Sequence, residues 1–306
     1  MKAAAFLLAV LLLAAPLLKV GPARADERID IQYQGTTRDY LLHVPPDAGA
    51  APLALVIALH GAGGDAASFA GETRFAQAAN RLGMMVAFPD GGEYGDPPRR
   101  TFNAQFCCGE AVARQVDDVG FVGSVIEDVA ARHPLDRARI YATGMSNGGM
   151  LVYQLASMHP GWFAAVAPVS AAIGGMSRDG RTYIIPMPAM PVPVMIVHGR
   201  RDSYVLYQGG ASQSFPHSWK MSVGDALSFW AVSDGCTGKP AIAYAANRTL
   251  KREAYTGCKD GSEVVLWEIM GGGHDWPGDI FPAPGGGKPV SAAEEILTFF
   301  AAHRRP

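Results

Sequence analysis

Three residues of this 306-residue chain have the types and the order needed for covalent catalysis: Ser146, Asp202 and His274. Ser146 is the centre of Gly144-Met145-Ser146-Asn147-Gly148, a G-x-S-x-G pattern. A serine hydroxyl is a weak nucleophile until a neighbouring base takes its proton, and that base needs a third group to orient it. The pattern itself also occurs in ordinary strand-to-helix turns, so its context decides. Residues 139–143 form an apolar, β-branched run that reads as a strand. Met150, Leu151, Gln154 and Leu155 then recur at helical spacing. A serine held in a sharp turn between strand and helix needs near-zero side chains two positions away on either side, which Gly144 and Gly148 supply. The helix that starts there directs its first N–H groups at the serine, where negative charge would develop.

Asp202 follows the apolar run 192–197 in His198-Gly199-Arg200-Arg201-Asp202. It suits the acid that orients a histidine, or it could be a loop carboxylate paired with Arg200 or Arg201. His274 lies in Gly271-Gly272-Gly273-His274-Asp275-Trp276, where three glycines let a loop carry imidazole over Ser146. Asp275 competes for the acid role, but a sequence neighbour of the histidine would point elsewhere. His60 and His198 come too early for the order Ser, Asp, His of α/β-hydrolases. A strand at 53–59 ends in His60-Gly61-Ala62-Gly63-Gly64. A bend there can set one backbone N–H opposite that of Asn147, making a two-donor oxyanion hole with Ala62 as donor or Gly61 as the alternative. A phosphate loop is the rival reading, but the Gly-Lys pair it requires is absent.

These residues need a scaffold, and strand and helix signals alternate along the chain. Residues 29–33 and 40–44 read as a hairpin turning at Gly35-Thr36-Thr37. The run 53–59 is continuously apolar, as in a strand buried on both faces, 84–88 reads as the next buried strand, and 164–169, 192–197 and 264–269 read as further strands. Helical patterns cover 75–82, 116–133 and 292–302. The expected fold is α/β, with a mostly parallel central sheet, helices on both faces, and functional residues at the carboxyl ends of strands.

Residues 1–25 read as a cleavable signal peptide. Lys2 precedes an Ala/Leu/Val run, and Ala23-Arg24-Ala25 precedes Asp26. Pro16 and Lys19 leave an apolar run of about fifteen residues, short of the roughly 20 that span a membrane. The expected organisation is therefore an exported protein, periplasmic or secreted, with one catalytic domain over 26–306 and no membrane anchor. Twenty-six basic against 28 acidic residues give no reason to expect a nucleic-acid partner. Four cysteines allow three pairings. Cys236 and Cys258 would close a local loop worth roughly 3 kcal/mol, leaving Cys107 and Cys108 as a vicinal bond or two free thiols. No metal-ligand spacing accompanies them, and no metal or organic cofactor is expected.

Taken together, Gly144 to Met150, Asp117-Asp118-Val119 upstream and Gly272 to Gly278 downstream resemble the exported polyhydroxybutyrate depolymerase-like esterases. These are grouped with the feruloyl and acetylxylan esterases of carbohydrate esterase family one. The resemblance extends to Phe102-Asn103-Ala104, Cys107-Cys108-Gly109 and the late pair Cys236 and Cys258. It implies an α/β-hydrolase fold, with Ser146 as nucleophile, Asp202 as acid and His274 as general base. It also implies an ester substrate: a hydroxyacid oligomer or polyester, or a plant cell-wall polysaccharide ester. The oxyanion loop departs from many relatives at its third position, Ala62.

Substrate contacts are expected from Trp276 at the site mouth and from Tyr204. Tyr207, Phe215 and Trp219 follow the acid and could line a pocket or pack in the core. The Met- and Pro-rich stretch 171–191 is a candidate wall beside the site or a plain crossover. Many polyester depolymerases add a separate substrate-binding domain, and this chain closes at His303-Arg304-Arg305-Pro306. It is therefore expected to cleave soluble short-chain esters faster than crystalline polymer.

Overall fold

The computed structural model describes residues 26–245, 248–283 and 288–306. The expected signal peptide, 1–25, lies outside the described residues. Ten strands form one sheet: β1 Glu27–Tyr33, β2 Thr36–His43, β3 Leu53–Leu59, β4 Met84–Pro89, β5 Leu135–Met145, β6 Ala165–Val169, β7 Val194–Gly199, β8 Ala241–Ala245, β9 Leu250–Tyr255 and β10 Val264–Ile269. Their order across the sheet is β1-β2-β4-β3-β5-β6-β7-β10-β9-β8. The six strands from β4 to β10 run parallel, and an antiparallel pair closes each edge.

The apolar runs are continuous because both faces of the parallel strands are covered. Successive residues of β3 point to opposite faces. Leu55, Ile57 and Leu59 enter one core with Phe121, Leu151 and Trp230. These come from helices α4 (Asp118–Arg132), α5 (Asn147–Met158) and α6 (Val223–Ser233), numbered with α1 Ala66–Thr73, α2 Phe75–Asn80, α3 Gly109–Ala113 and α7 Ala292–Ala301. Ala54, Val56 and Ala58 enter the other core, against Phe69 of α1, Phe75 of α2 and Phe299 and Phe300 of α7. The helix starts are chemically marked. Asp117 caps α4 by accepting from the Gly120 N–H, and Ser222 and Ser291 form capping boxes with Asp225 and Glu294.

The leading hairpin turns one residue earlier than expected. Thr36 pairs with Tyr33, and the two-residue turn is Gln34-Gly35, both at positive φ (47° and 78°). That geometry matches the twist of the flanking strands. A second, four-stranded sheet runs Thr182–Ile184, Gly174–Met176, Phe215–Lys220, Gly210–Ser212. Cys236 is bonded to Cys258, and Cys107 to Cys108. No helix among the described residues is long and apolar enough to cross a membrane.

Candidate active site

β5 delivers Ser146 into a turn that only this sequence context permits. Ser146 has φ 55°, and its N–H donates to Val169 O at 2.9 Å, fixing the turn against the end of β6. α5 begins at once, with Met150 N–H donating to Ser146 O at 2.8 Å. The two glycines of the motif have no room for a side chain. A Cβ on Gly148 would lie 2.3 Å from Leu59 O, and one on Gly144 would lie 2.8 Å from both Gly148 C and Leu59 O.

His274 Nε2 lies 2.9 Å from Ser146 Oγ, and its Nδ1 lies 2.7 Å from Asp202 Oδ2. The loop after β7 carries Asp202, and the loop after β10 carries His274. Asp202 is buried, and its second oxygen accepts the N–H groups of Tyr204 and Val205 at 2.8 Å each. Burial alone would raise its pKa, but hydrogen bonds from His198 and His274 outweigh burial and hold it well below the usual carboxylate range. The alternative pairing with arginine does not occur, because Arg200 binds Glu268. Asp275 is exposed, and His274 turns to Asp202 instead.

Two histidines at strand ends do other work. His60 donates from Nδ1 to Gly61 O at 2.7 Å and accepts the Gly91 N–H at Nε2, 2.9 Å away. Burial lowers its pKa, and with the accepted Gly91 N–H this makes it a neutral strut under the loop after β3. His198 is fully buried, donates from Nε2 to Val205 O at 2.9 Å, and lies 3.4 Å from Asp202 Oδ2. It supports the acid loop from below. Nothing in the spacing of the sequence marks that role.

The Asn147 side chain accepts the Phe102 N–H at 2.8 Å and donates to Phe102 O and Cys107 O at 2.9 and 3.4 Å. It ties the vicinal cysteines to the residue after Ser146. Asp118 is likewise structural, accepting from Arg38 and from the Asn103 N–H.

A cavity of about 1100 Å³ opens over these groups, lined among others by Ser146, His274, Ala62, Tyr204, Phe215 and Lys220. Tyr204 lies 5.1 Å from the His274 ring and 6.2 Å from the Phe215 ring, centre to centre. Trp276 is not at the mouth. It packs edge-on against Phe69 and Phe75, 5.4 and 6.2 Å away, because the chain after His274 turns down toward α1 and α2. Tyr207 donates to Glu268, and Trp219 is half exposed outside the cavity. Within 171–191, Ser177, Arg178, Asp179 and Arg181 form cavity wall, whereas Met187 and Met190 are exposed and do not line it. Lys220 is a cavity residue that the sequence pattern did not single out.

Residues 38–181 match the esterase polyhydroxybutyrate depolymerase family model. Feruloyl esterase B of Piromyces equi is 34% identical over 227 residues, which is 74% of this chain and 40% of that protein. The chain thus spans less than half the length of that relative. The candidate esterase NocK of Nocardia uniformis subsp. tsuyamanensis is 28% identical over 271 residues, 83% of this chain and 74% of that one. An acetyl xylan esterase from Aspergillus awamori superposes with a TM-score of 0.61 at 13% identity, covering 91% of this chain and 99% of the other, a likeness of fold. By these matches the chain has the α/β-hydrolase fold and is similar in sequence to the polyhydroxybutyrate depolymerase esterases and to feruloyl esterases.

Proposed function

We propose that the chain is an exported serine carboxylic-ester hydrolase that acts on short-chain hydroxyacid esters or oligomers through an acyl-enzyme. The observation that carries this reading is the unbroken hydrogen-bond chain from Asp202 through His274 to Ser146. His274 Nε2 takes the Ser146 proton as Oγ attacks the ester carbonyl, while Asp202 holds the proton on Nδ1 and stabilises the imidazolium. The N–H of Asn147, at the first position of α5, has no partner within its helix and is free to bind the oxyanion. In the β3 loop, Gly63 and Gly64 commit their N–H groups to Arg100 O and Gly61 O, leaving Ala62 as second donor or Gly61 as the alternative. The leaving alkoxide takes a proton from His274, and water then repeats the cycle on the acyl-serine.

A second reading, feruloyl or acetylxylan esterase, is favoured by the 34% identity to a feruloyl esterase over 74% of the chain. A fluorophosphonate should label the protein stoichiometrically and leave Ser146→Ala unlabelled. Labelling of that variant would assign the nucleophile elsewhere. Turnover of hydroxybutyrate oligomers, methyl ferulate and acetylated xylan, measured side by side, separates the two substrate readings.

A further inference from the structure

Lys220 ends the strand Phe215–Lys220, where it pairs with Gly175. It is 4% exposed, yet it lines the cavity that holds Ser146 and His274. A lysine buried to this degree ordinarily meets a carboxylate. Among the described residues no carboxylate pairs with it. Nζ has one hydrogen bond, to Ser218 Oγ at 3.2 Å, and lies 4.8 Å from the centre of the Phe215 ring. An ammonium has three N–H donors, so this one retains capacity for a further acceptor.

The surroundings leave that acceptor to come from the cavity. Asp202 is near enough for its charge to oppose the lowering of the Lys220 pKa by burial, but its oxygens are already taken by His274, Tyr204 and Val205. Asp179 and Glu110 face the same cavity, paired with Arg181 and Arg114. Arg99 and Arg178 outnumber Asp96 among the other charges on the wall. The ammonium also has a defined relation to the reacting centre. The His274 ring lies 5.1 Å from Tyr204, Tyr204 lies 6.2 Å from Phe215, and Phe215 lies under Nζ. Tyr204 and Phe215 thus form a run of ring contacts that links the imidazole to the ammonium along the cavity wall.

We propose that Lys220 determines specificity by binding a carboxylate carried on the part of the ester remote from the scissile bond. The favoured substrate class is then an ester whose alcohol is itself a hydroxyacid with a free carboxyl, the terminal unit of a short hydroxyacid oligomer. Neutral alkyl and sugar esters are disfavoured. This rests on the ester-hydrolase reading above. Ser146 Oγ bonds to the carbonyl carbon, the bond to the terminal hydroxyacid oxygen breaks, and that oxygen takes the His274 proton. The departing hydroxyacid keeps its carboxylate on Lys220 until it diffuses away. Water then releases the acyl group as the second acid.

The test compares the 3-hydroxybutyrate dimer bearing a free carboxylate with the same dimer capped as a primary amide. The protein should favour the acid by about tenfold or more in kcat/KM, the scale of one charge-assisted hydrogen bond. Lys220→Met should collapse that ratio toward one, mainly through KM, and Lys220→Arg should retain most of it. Equal rates for acid and amide with the unmodified protein would overturn the proposal without any variant. So would an unchanged ratio in a folded Lys220→Met protein, or an equal loss on both compounds, which would assign Lys220 to support of Asp202. Calorimetric binding of the two dimers to Ser146→Ala reads the same preference without turnover. If neither dimer is hydrolysed, the ester-hydrolase reading fails for these substrates, and the binding ratio still decides the role of Lys220.

Discussion

Replacing Asp202 with asparagine isolates the protonation of His274 from the fold around it. Asp202 uses one oxygen to accept two backbone N–H groups, from Tyr204 and Val205, and the other to accept His274 Nδ1–H. An asparagine carbonyl can keep the first pair, so the loop after β7 should hold its shape. Its amide then faces Nδ1 as a donor, which forces the imidazole proton onto Nε2. In that tautomer Nε2 donates to Ser146 Oγ instead of accepting from it, and the nucleophile loses its base. The expected loss in kcat is about ten-thousand-fold, or about 5.5 kcal/mol in the barrier. Asp275→Asn is the matched control, since Asp275 is exposed and sits beside the same histidine in sequence. The assay is p-nitrophenyl butyrate hydrolysis, with thermal melts to show that both variants are folded. An Asp202→Asn enzyme within tenfold of the parent, or an equal loss in Asp275→Asn, would refute the assignment.

Gly148→Ala puts a Cβ against the carbonyls of Leu59 and His60, and should cost about 3 kcal/mol, read as a fall in denaturation midpoint. Trp276→Ala should lower stability by about 2 kcal/mol through lost packing on Phe69 and Phe75, with KM for a soluble ester unchanged within twofold; a large KM change would return Trp276 to the site. Asp234 is buried, accepts the Val192 N–H and bonds to Ser262, and burial pushes its pKa up to about 6. A carboxyl that keeps its proton longer in the folded state contributes stability below about pH 4 and loses it as pH rises through 6. Asp234→Asn should therefore gain stability relative to the parent between pH 4 and pH 7, by about 2 kcal/mol, and a constant difference in melting temperature across that range would contradict this.

The parts of the fold that were legible were those whose residues face an interior. Leu53–Leu59 and Met84–Pro89 declare themselves because every residue must be apolar when both faces are covered. Ala241–Ala245 gave no such signal. It is an edge strand with nearly every residue in solvent, so no period appears. The three-residue strands of the small sheet are too short to show alternation, and with them the setting of Lys220 was hidden. The meeting of Ser146, Asp202 and His274 could be anticipated because each sits where a strand ends in a glycine-bearing turn. Trp276 misled for a related reason: two residues along a turning chain can move a side chain from the cavity to the opposite core. His198 shows the remaining limit. His198 and His274 both lie where strands end in glycine-bearing turns; chain order set His198 aside, but its bracing bond to Val205 O was visible only in the structure.

The loops that carry Asp202 and His274 are joined backbone to backbone. Arg200 N–H donates to Ile269 O and Arg201 N–H to Gly272 O, both at 2.9 Å, and Gly199 packs so closely on Gly272 and Gly273 that no Cβ would fit. Asp202 and His274 therefore ride on one backbone-bonded unit, rooted in the adjacent parallel strands β7 and β10. Ser146 rides on another, rooted in β5 on the far side of β6. On the mechanism proposed above, warming is expected to part Ser146 from His274 before it parts His274 from Asp202. The seam of the molecule's reactivity runs between Ser146 and His274, and loss of rate on warming should begin there while the aspartate and histidine are still paired.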